Sequence, residues 1–289
     1  MTTRQNGRRW PLFALVFALS GLLLVSACGK KTVAESTPRP SISSPSAPAS
    51  PSPTPSVSPS PSGSSDDDGG AVDGSQPPTA QFRGQPASLP GGGKSPLRTV
   101  GGKNIALTID DGPSPTYTPE YLRLLAKLHI KAVFCLIGEN VQRYPNLVKQ
   151  IVAGGHLLCN HTMHHDEHLG TKSTSTIHQD ITATTAVIMK ASGGVRPVFF
   201  RAPGGNWTSR LLAESRKVGL TPLDWSVDPR DWSRPGVAHI TTVIKNAKPG
   251  SIILCHDGGG NRTQTYAALQ KALPALKSRG LTFVTPRPE

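Results

Sequence analysis

Seven short runs of apolar, largely β-branched residues punctuate the chain after residue 100, at 105–109, 133–137, 156–159, 198–200, 222–227, 251–254 and 281–284. Each has the length and near-continuous apolar character of a strand buried on both faces. Between them lie segments with helical start and stop signals. Thr118-Pro119-Glu120 offers an N-cap, a proline at the first helical position and an early acid. Gly154, Gly193, Gly219 and Gly280 stand where left-handed C-caps are expected. Strands alternating with about six helices predict a mostly parallel sheet covered on both sides. An open doubly wound sheet and a barrel share that pattern.

The polar residues that interrupt it favour the barrel. Asp110-Asp111, His161 with His165, Arg201, Asp228 with Asp231, and His256 each stand where an apolar run stops. Chemistry arriving from the ends of five different strands needs closure to gather those ends around one mouth. No internal repeat of fixed period is visible.

Composition changes sharply near residue 96, and three segments follow: 1–27, 28–96 and 97–289. In the first, Arg4, Arg8 and Arg9 precede an apolar stretch from Pro11 to Val25, and then Ser26 and Ala27 lead to Cys28. That is the layout of a secretory signal. The cysteine after Val-Ser-Ala resembles a bacterial lipobox, which makes Cys28 the expected lipidation site and the protein extracytoplasmic, anchored to the cell membrane. An ordinary cleaved signal or a retained helix are the alternatives, and the run is short for a span. Residues 28–96 are dominated by Ser and Pro, with an acidic patch at Asp66, Asp67 and Asp68. Such a segment buries too little apolar surface to offset chain entropy and is expected to be a disordered tether. At about 3 Å per residue it would reach many nanometres.

The chain carries a formal net charge of +13, and residues 97–289 alone hold 23 Lys and Arg against 13 Asp and Glu, about +10. A basic exported domain suits anionic wall polymers or lipid. Without an aromatic-interleaved basic stripe, no nucleic-acid partner is expected. Cys135, Cys159 and Cys255 lie inside apolar runs, where cysteine behaves as a small buried hydrophobe.

His161 and His165 stand four apart, so on a helical turn both imidazoles would face one way and share a metal ion. A carboxylate from another strand end would complete a common three-ligand set for catalytic zinc. Asp110-Asp111 precedes the turn pair Gly112-Pro113; one aspartate can ligate while its neighbour accepts a proton, and spacing does not say which does which. His256 suits a general acid, and Asp231 could orient it. Arg201 could clamp a catalytic carboxylate, and the glycines of Arg201-Ala202-Pro203-Gly204-Gly205 could offer backbone N–H groups to an oxyanion. His164 and His168 are treated as solvated.

Taken in order, Thr108-Ile109-Asp110-Asp111-Gly112-Pro113, His161-Thr162-x-x-His165, Arg201-x-Pro203-x-Gly205, Asp228-x-x-Asp231-Trp232 and Leu254-x-His256 resemble the five motifs of the polysaccharide deacetylase family, the NodB-homology group or carbohydrate esterase family 4. The resemblance covers about residues 103–285. It implies an α/β fold, a distorted (β/α)7-type barrel, here following the Ser/Pro-rich tether. It further implies that Asp110 is the catalytic base and that Asp111, His161 and His165 bind a divalent metal, usually zinc. Arg201 would orient Asp110, Asp231 would tune His256 as the acid, Trp232 and Leu254 would line the pocket for the acetyl methyl group, and a backbone N–H near Gly204 would meet the oxyanion. Members often carry a large aromatic where this chain has Gly204, so a wider groove is expected.

The implied reaction is hydrolysis of N-acetyl groups on a glycan, with peptidoglycan N-acetylglucosamine first, and chito-oligosaccharide deacetylation or O-acetyl xylan esterase activity as alternatives. The protein is expected to act as a monomer. An inactive glycan-binding surface lipoprotein is the competing class, and the intact base, ligands and acid argue against it. A zinc peptidase is disfavoured because Thr162 stands where H-E-x-x-H has its glutamate.

Overall fold

The computed structural model describes residues 95–288; the expected signal, the expected lipidation site Cys28 and all of the expected tether but residues 95 and 96 lie outside the described residues. The elements run β1 (Asn104–Gly112), α1 (Thr118–Lys127), β2 (Val133–Leu136), α2 (Gly138–Arg143), α3 (Pro145–Ala153), β3 (Leu157–Asn160), α4 (Thr174–Ser192), β4 (Phe199–Phe200), α5 (Ser209–Lys217), β5 (Thr221–Pro222), α6 (Val237–Lys245), β6 (Ile252–His256), α7 (Thr263–Ser278) and β7 (Thr282–Phe283). All seven strands pair in parallel, in the order β5-β4-β3-β2-β1-β6, with β7 against the start of β1. The sheet curls into the expected distorted barrel.

Its closure is irregular, which corrects the expected strand at 222–227. Only Thr221–Pro222 ladders as β5, and the seam beyond it is sewn by single bridges. Leu97 pairs with Leu223, Thr99 with Ser251, and Val227 with Ile253. Leu97 N–H donates to the Pro222 carbonyl at 2.8 Å and Leu254 N–H to that of Val227 at 2.9 Å. Within the run at 222–227, Leu223 and Trp225 pack in the inner cluster and Val227 against the helix-side cluster, while Ser226 is exposed.

Side-chain alternation along β1 sorts two cores. Ile105, Leu107 and Ile109 face the helices and join the larger cluster with α1, α3, α6 and α7. Ala106 faces inward with Val133, Cys135, Cys159, Phe199, Leu223 and Ile252. Above Ala106 the same inward row continues through Thr108 to Asp110, so the interior passes from apolar floor to polar mouth within one strand. The three cysteines are free and buried, as expected of small hydrophobes.

Two local expectations fail. Thr118 is the first helical residue rather than the N-cap, and Tyr117 caps without a side-chain bond. The Thr118 hydroxyl instead accepts from Ser114 N–H at 2.7 Å and donates to Asp257 at 2.5 Å. At the end of α3, Gly154 stays right-handed with φ −69°, and Gly155 takes the left-handed turn at φ +72°. Gly193, Gly219 and Gly280 do turn left-handed, at φ 73°, 79° and 77°. Among the described residues no helix is long and apolar enough to cross a membrane.

Candidate active site

A break in β1 creates the site. Asp110 pairs with Cys135 and Gly112 with Leu136, so Asp111 is an extra residue in the strand, a bulge with φ +72°. Aspartate tolerates that left-handed conformation better than most residues. In a regular strand Asp110 and Asp111 would point to opposite faces; the bulge turns both toward the mouth.

The two histidines arrive from the end of β3, and not on a helical turn as their spacing suggested. Residues 161–165 are irregular, with Thr162 at φ +64° and His165 at φ +55°. Asn160 pins this turn by accepting from Thr162 N–H at 3.0 Å and donating to the Ile181 carbonyl at 2.9 Å. Met163 N–H is held by Asp180 at 3.1 Å. The outcome is the expected convergence by a different route: the rings of His161 and His165 lie 5.0 Å apart at a 69° angle.

Asp111, His161 and His165 offer ligand atoms that all lie within 4.8 Å of one another. Asp111 Oδ1 is 3.5 Å from Nε2 of His161 and 3.4 Å from Nε2 of His165. It is buried and has no hydrogen-bond partner among the described residues, an arrangement that costs free energy unless something electropositive fills it. Nδ1 of His161 is bonded to the Arg201 carbonyl at 2.9 Å, which leaves Nε2 as the free donor nitrogen. Two imidazoles and a carboxylate fit a divalent metal with an open position. His164 pairs with Glu139 at the surface, and His168 is exposed, so neither joins the cluster.

Arg201 is fully buried, and four of its five N–H donors are used. Nη1 donates to Asp110 Oδ1 at 2.7 Å and to Thr108 Oγ1 at 2.8 Å, Nε to the Leu223 carbonyl at 3.2 Å, and Nη2 to the Asp224 carbonyl at 3.0 Å. Burial works against its charge, but the Asp110 carboxylate beside it holds the guanidinium pKa above the usual value. Fully buried and bonded to Asp110, Arg201 is placed to orient that carboxylate rather than to meet a ligand from solvent. Asp110 Oδ2 remains, 3.7 Å from His161 Nε2.

His256 ends β6 directly beside Asp110 in register. Its Nδ1 is bonded to Asp231 Oδ1 at 2.7 Å, while Asp231 Oδ2 accepts from the His256 backbone N–H at 2.9 Å and from the Thr265 hydroxyl at 3.0 Å. Burial alone would favour neutral imidazole; the Asp231 bond and the nearby carboxylates outweigh it and raise His256 to a pKa of about 9. Asp228 serves the turn instead, accepting from Arg230 N–H at 2.7 Å.

The remaining expected residues line the mouth unevenly. Leu254 is buried in β6. Trp232 is half exposed, with the Arg230 guanidinium 5.2 Å from its ring centre. Gly204 takes φ +61° in the short 3-10 turn Pro203–Gly205. A Cβ there would meet Glu167 at 3.3 Å. The Gly205 N–H is spent on the Ala202 carbonyl at 3.0 Å, whereas that of Gly204 finds no acceptor among the described residues. So of the two glycines only Gly204 can offer a donor.

The sequence profile of the polysaccharide deacetylase family matches residues 98–223. A peptidoglycan-N-acetylglucosamine deacetylase of Bacillus cereus is 45% identical over 186 residues, which cover 63% of this chain and 86% of that protein. The chain belongs to the polysaccharide deacetylase family. A chitooligosaccharide deacetylase of a Bradyrhizobium species is 40% identical over 192 residues, covering 62% of this chain and 87% of that enzyme. The crystal structure of a peptidoglycan N-acetylglucosamine deacetylase bound to 4-naphthalen-1-yl-N-oxidanyl-benzamide superposes with a TM-score of 0.60 at 35% identity, covering 63% of this chain and 86% of that one. The profile match ends at Leu223, so the Asp231–His256 pair rests on its geometry.

Sequence reasoning missed Thr108, Thr265, Asp257 and Arg262. Asp257 is wholly buried, and burial together with Asp111 and Asp110 raises its carboxyl to a pKa of about 7. Only its place directly after His256 could have flagged it. Thr108 stood in the first motif without a role of its own, and the groups that give Thr108, Thr265 and Arg262 their roles, Arg201, Asp231 and Asp111, lie far away in the chain.

Proposed function

We propose that this deacetylase removes N-acetyl groups from N-acetylglucosamine in peptidoglycan, with zinc at Asp111, His161 and His165. The observation that carries the reading is the meeting, at one barrel mouth, of a three-ligand cluster, a carboxylate with one free oxygen, and a histidine held protonated. The basic charge of residues 97–289 and the likeness to the Bacillus cereus enzyme support the anionic wall polymer as substrate.

When bound, the metal supplies Lewis-acid polarisation of the acetyl carbonyl and lowers the pKa of the attacking water. Asp110 accepts the water proton on Oδ2, because Arg201 occupies Oδ1. The Gly204 N–H donates to the oxyanion of the tetrahedral intermediate. His256 Nε2, opposite the nitrogen bonded to Asp231, donates a proton to the departing sugar nitrogen as the carbon–nitrogen bond breaks. Acetate and a free amino sugar leave.

The test is acetate release by the purified protein with stoichiometric zinc, from peptidoglycan, chito-oligosaccharides and acetylated xylan in parallel. Zinc-dependent release chiefly from peptidoglycan is expected. Release chiefly from chito-oligosaccharides would favour the second reading, which the 40% identical relative supports. Release from xylan alone, or from none of the three, would overturn the N-deacetylase assignment.

The acid assignment has its own readout. With a pKa of about 9 against an ordinary 6.5, His256 should keep its proton through neutral pH in the metal-free protein and lose it as pH rises through about 9. The stability it contributes is therefore complete below pH 6.5 and lost across that window. Asp231→Asn removes the charge that raises it. An NMR titration of the variant should show deprotonation at lower pH, with the basic limb of kcat moving the same way. An unmoved titration would remove Asp231 from this role.

A further inference from the structure

The turn after β6 carries a cation that the scheme above leaves without a task. Gly258-Gly259-Gly260-Asn261-Arg262 leads from Asp257 into α7 and crosses directly over Asp111. A Cβ on Gly258 would stand 2.0 Å from the Asp111 carbonyl oxygen. One on Gly259 would stand 2.6 Å from Asp111 Oδ2 and 3.0 Å from Arg262 Nη2. No side chain fits beneath that crossing, and Gly259 is left-handed besides, at φ +70°.

What the close crossing delivers is Arg262, whose side chain is only 4% exposed. Its Nε donates to the Gly258 carbonyl at 2.6 Å, which locks the guanidinium to the turn. Its Nη2 faces Asp111 Oδ2 at 4.0 Å. A buried guanidinium needs an anion close by, and this one meets the oxygen of Asp111 that the histidines do not face. The other oxygen, Oδ1, lies 3.5 and 3.4 Å from the two imidazoles and has no hydrogen-bond partner among the described residues. The two oxygens are thereby sorted, one to the cation and one to the ligand cluster.

We propose that Arg262 is a positioning residue for the metal centre: its guanidinium draws Asp111 Oδ2 and so keeps Oδ1 turned toward His161 and His165. This rests on the reading of Asp111, His161 and His165 as metal ligands. The sign of the effect separates aiming from simple charge. A guanidinium repels a bound cation, so if charge were its whole influence, removing it would tighten metal binding. If it aims the ligand, removing it loosens binding although a repulsive charge has gone.

The experiment is competition for zinc between the full chain and a chromophoric chelator, with the wild type, Arg262→Met and Arg262→Lys. Thermal unfolding of each metal-free protein is measured alongside. Loss of a partner that orients a ligand costs about 10- to 100-fold in metal affinity, and that weakening is expected for Arg262→Met. An ammonium group lacks the fork needed to hold both Gly258 and Asp111, so Arg262→Lys should fall between. A wild type that takes up no zinc overturns the ligand reading itself. A wild type that binds zinc, with Arg262→Met unchanged within about twofold or tighter, overturns the Arg262 inference alone; a lowered unfolding midpoint without weaker zinc binding marks a structural strut. Should Arg262→Met fail to fold, the direction of change in Arg262→Lys decides by the same rule.

Discussion

Asp110→Asn is expected to lower acetate release by about 10³-fold while the protein still takes up one metal ion. General-base catalysis contributes about 10²- to 10⁴-fold, and this variant loses the basic oxygen without touching the three ligand residues. The amide can still accept from Arg201 through its carbonyl oxygen, so the geometry around Thr108 should survive. Turnover and metal content measured on the same sample check the division of labour between the neighbouring aspartates. A metal-free Asp110→Asn protein would make Asp110 a ligand, a reading that its 3.7 Å approach to His161 keeps open to test. Near-normal turnover would remove it as the base.

Arg201→Met is expected to cost more in stability than in any single contact. Four acceptors depend on this guanidinium: the Asp110 carboxylate, the Thr108 hydroxyl and the carbonyls of Leu223 and Asp224. The last two sit at the irregular seam that closes the barrel. Methionine fills the volume but leaves a buried carboxylate without its cation, which costs about 3–5 kcal/mol. For a domain of this size each kcal/mol lowers the melting midpoint by about 2–4 °C, so a fall of roughly 10 °C is expected in thermal unfolding. Activity should fall as well, because Asp110 loses its orientation. A midpoint within about 3 °C of the wild type would mean that solvent reaches Asp110 and that the seam does not need the arginine. Arg201→Lys keeps a charge but not the planar fork, and should lie between.

Much of this was legible beforehand because burial leaves a local signature. Strands β1, β2, β3 and β6 lie within two or three residues of the apolar runs, and the chemistry does sit where those runs stop. The short strands were harder. β4, β5 and β7 have two residues each, and the apolar run at 222–227 mixes a strand with the seam. The cap at Thr118 failed for a definite reason: its hydroxyl found a partner 139 residues away in Asp257.

The sequence by itself determined the order of the catalytic groups, the alternation that buries them at one end of a parallel sheet, and the family. These follow from side-chain type and from periods of two and 3.6, which any stretch of chain carries within itself. Only the tertiary structure decided how the groups meet. The bulge at Asp111 turns two consecutive aspartates to one side, and left-handed residues at Thr162 and His165 bring together imidazoles that no helix presents. Arg201 is spent on partners 22 to 93 residues away, and the Gly258–Gly259 crossing sets Arg262 against Asp111. Backbone reversals and contacts between distant residues are chosen by the global minimum of packing and hydrogen bonding, so no local pattern records them.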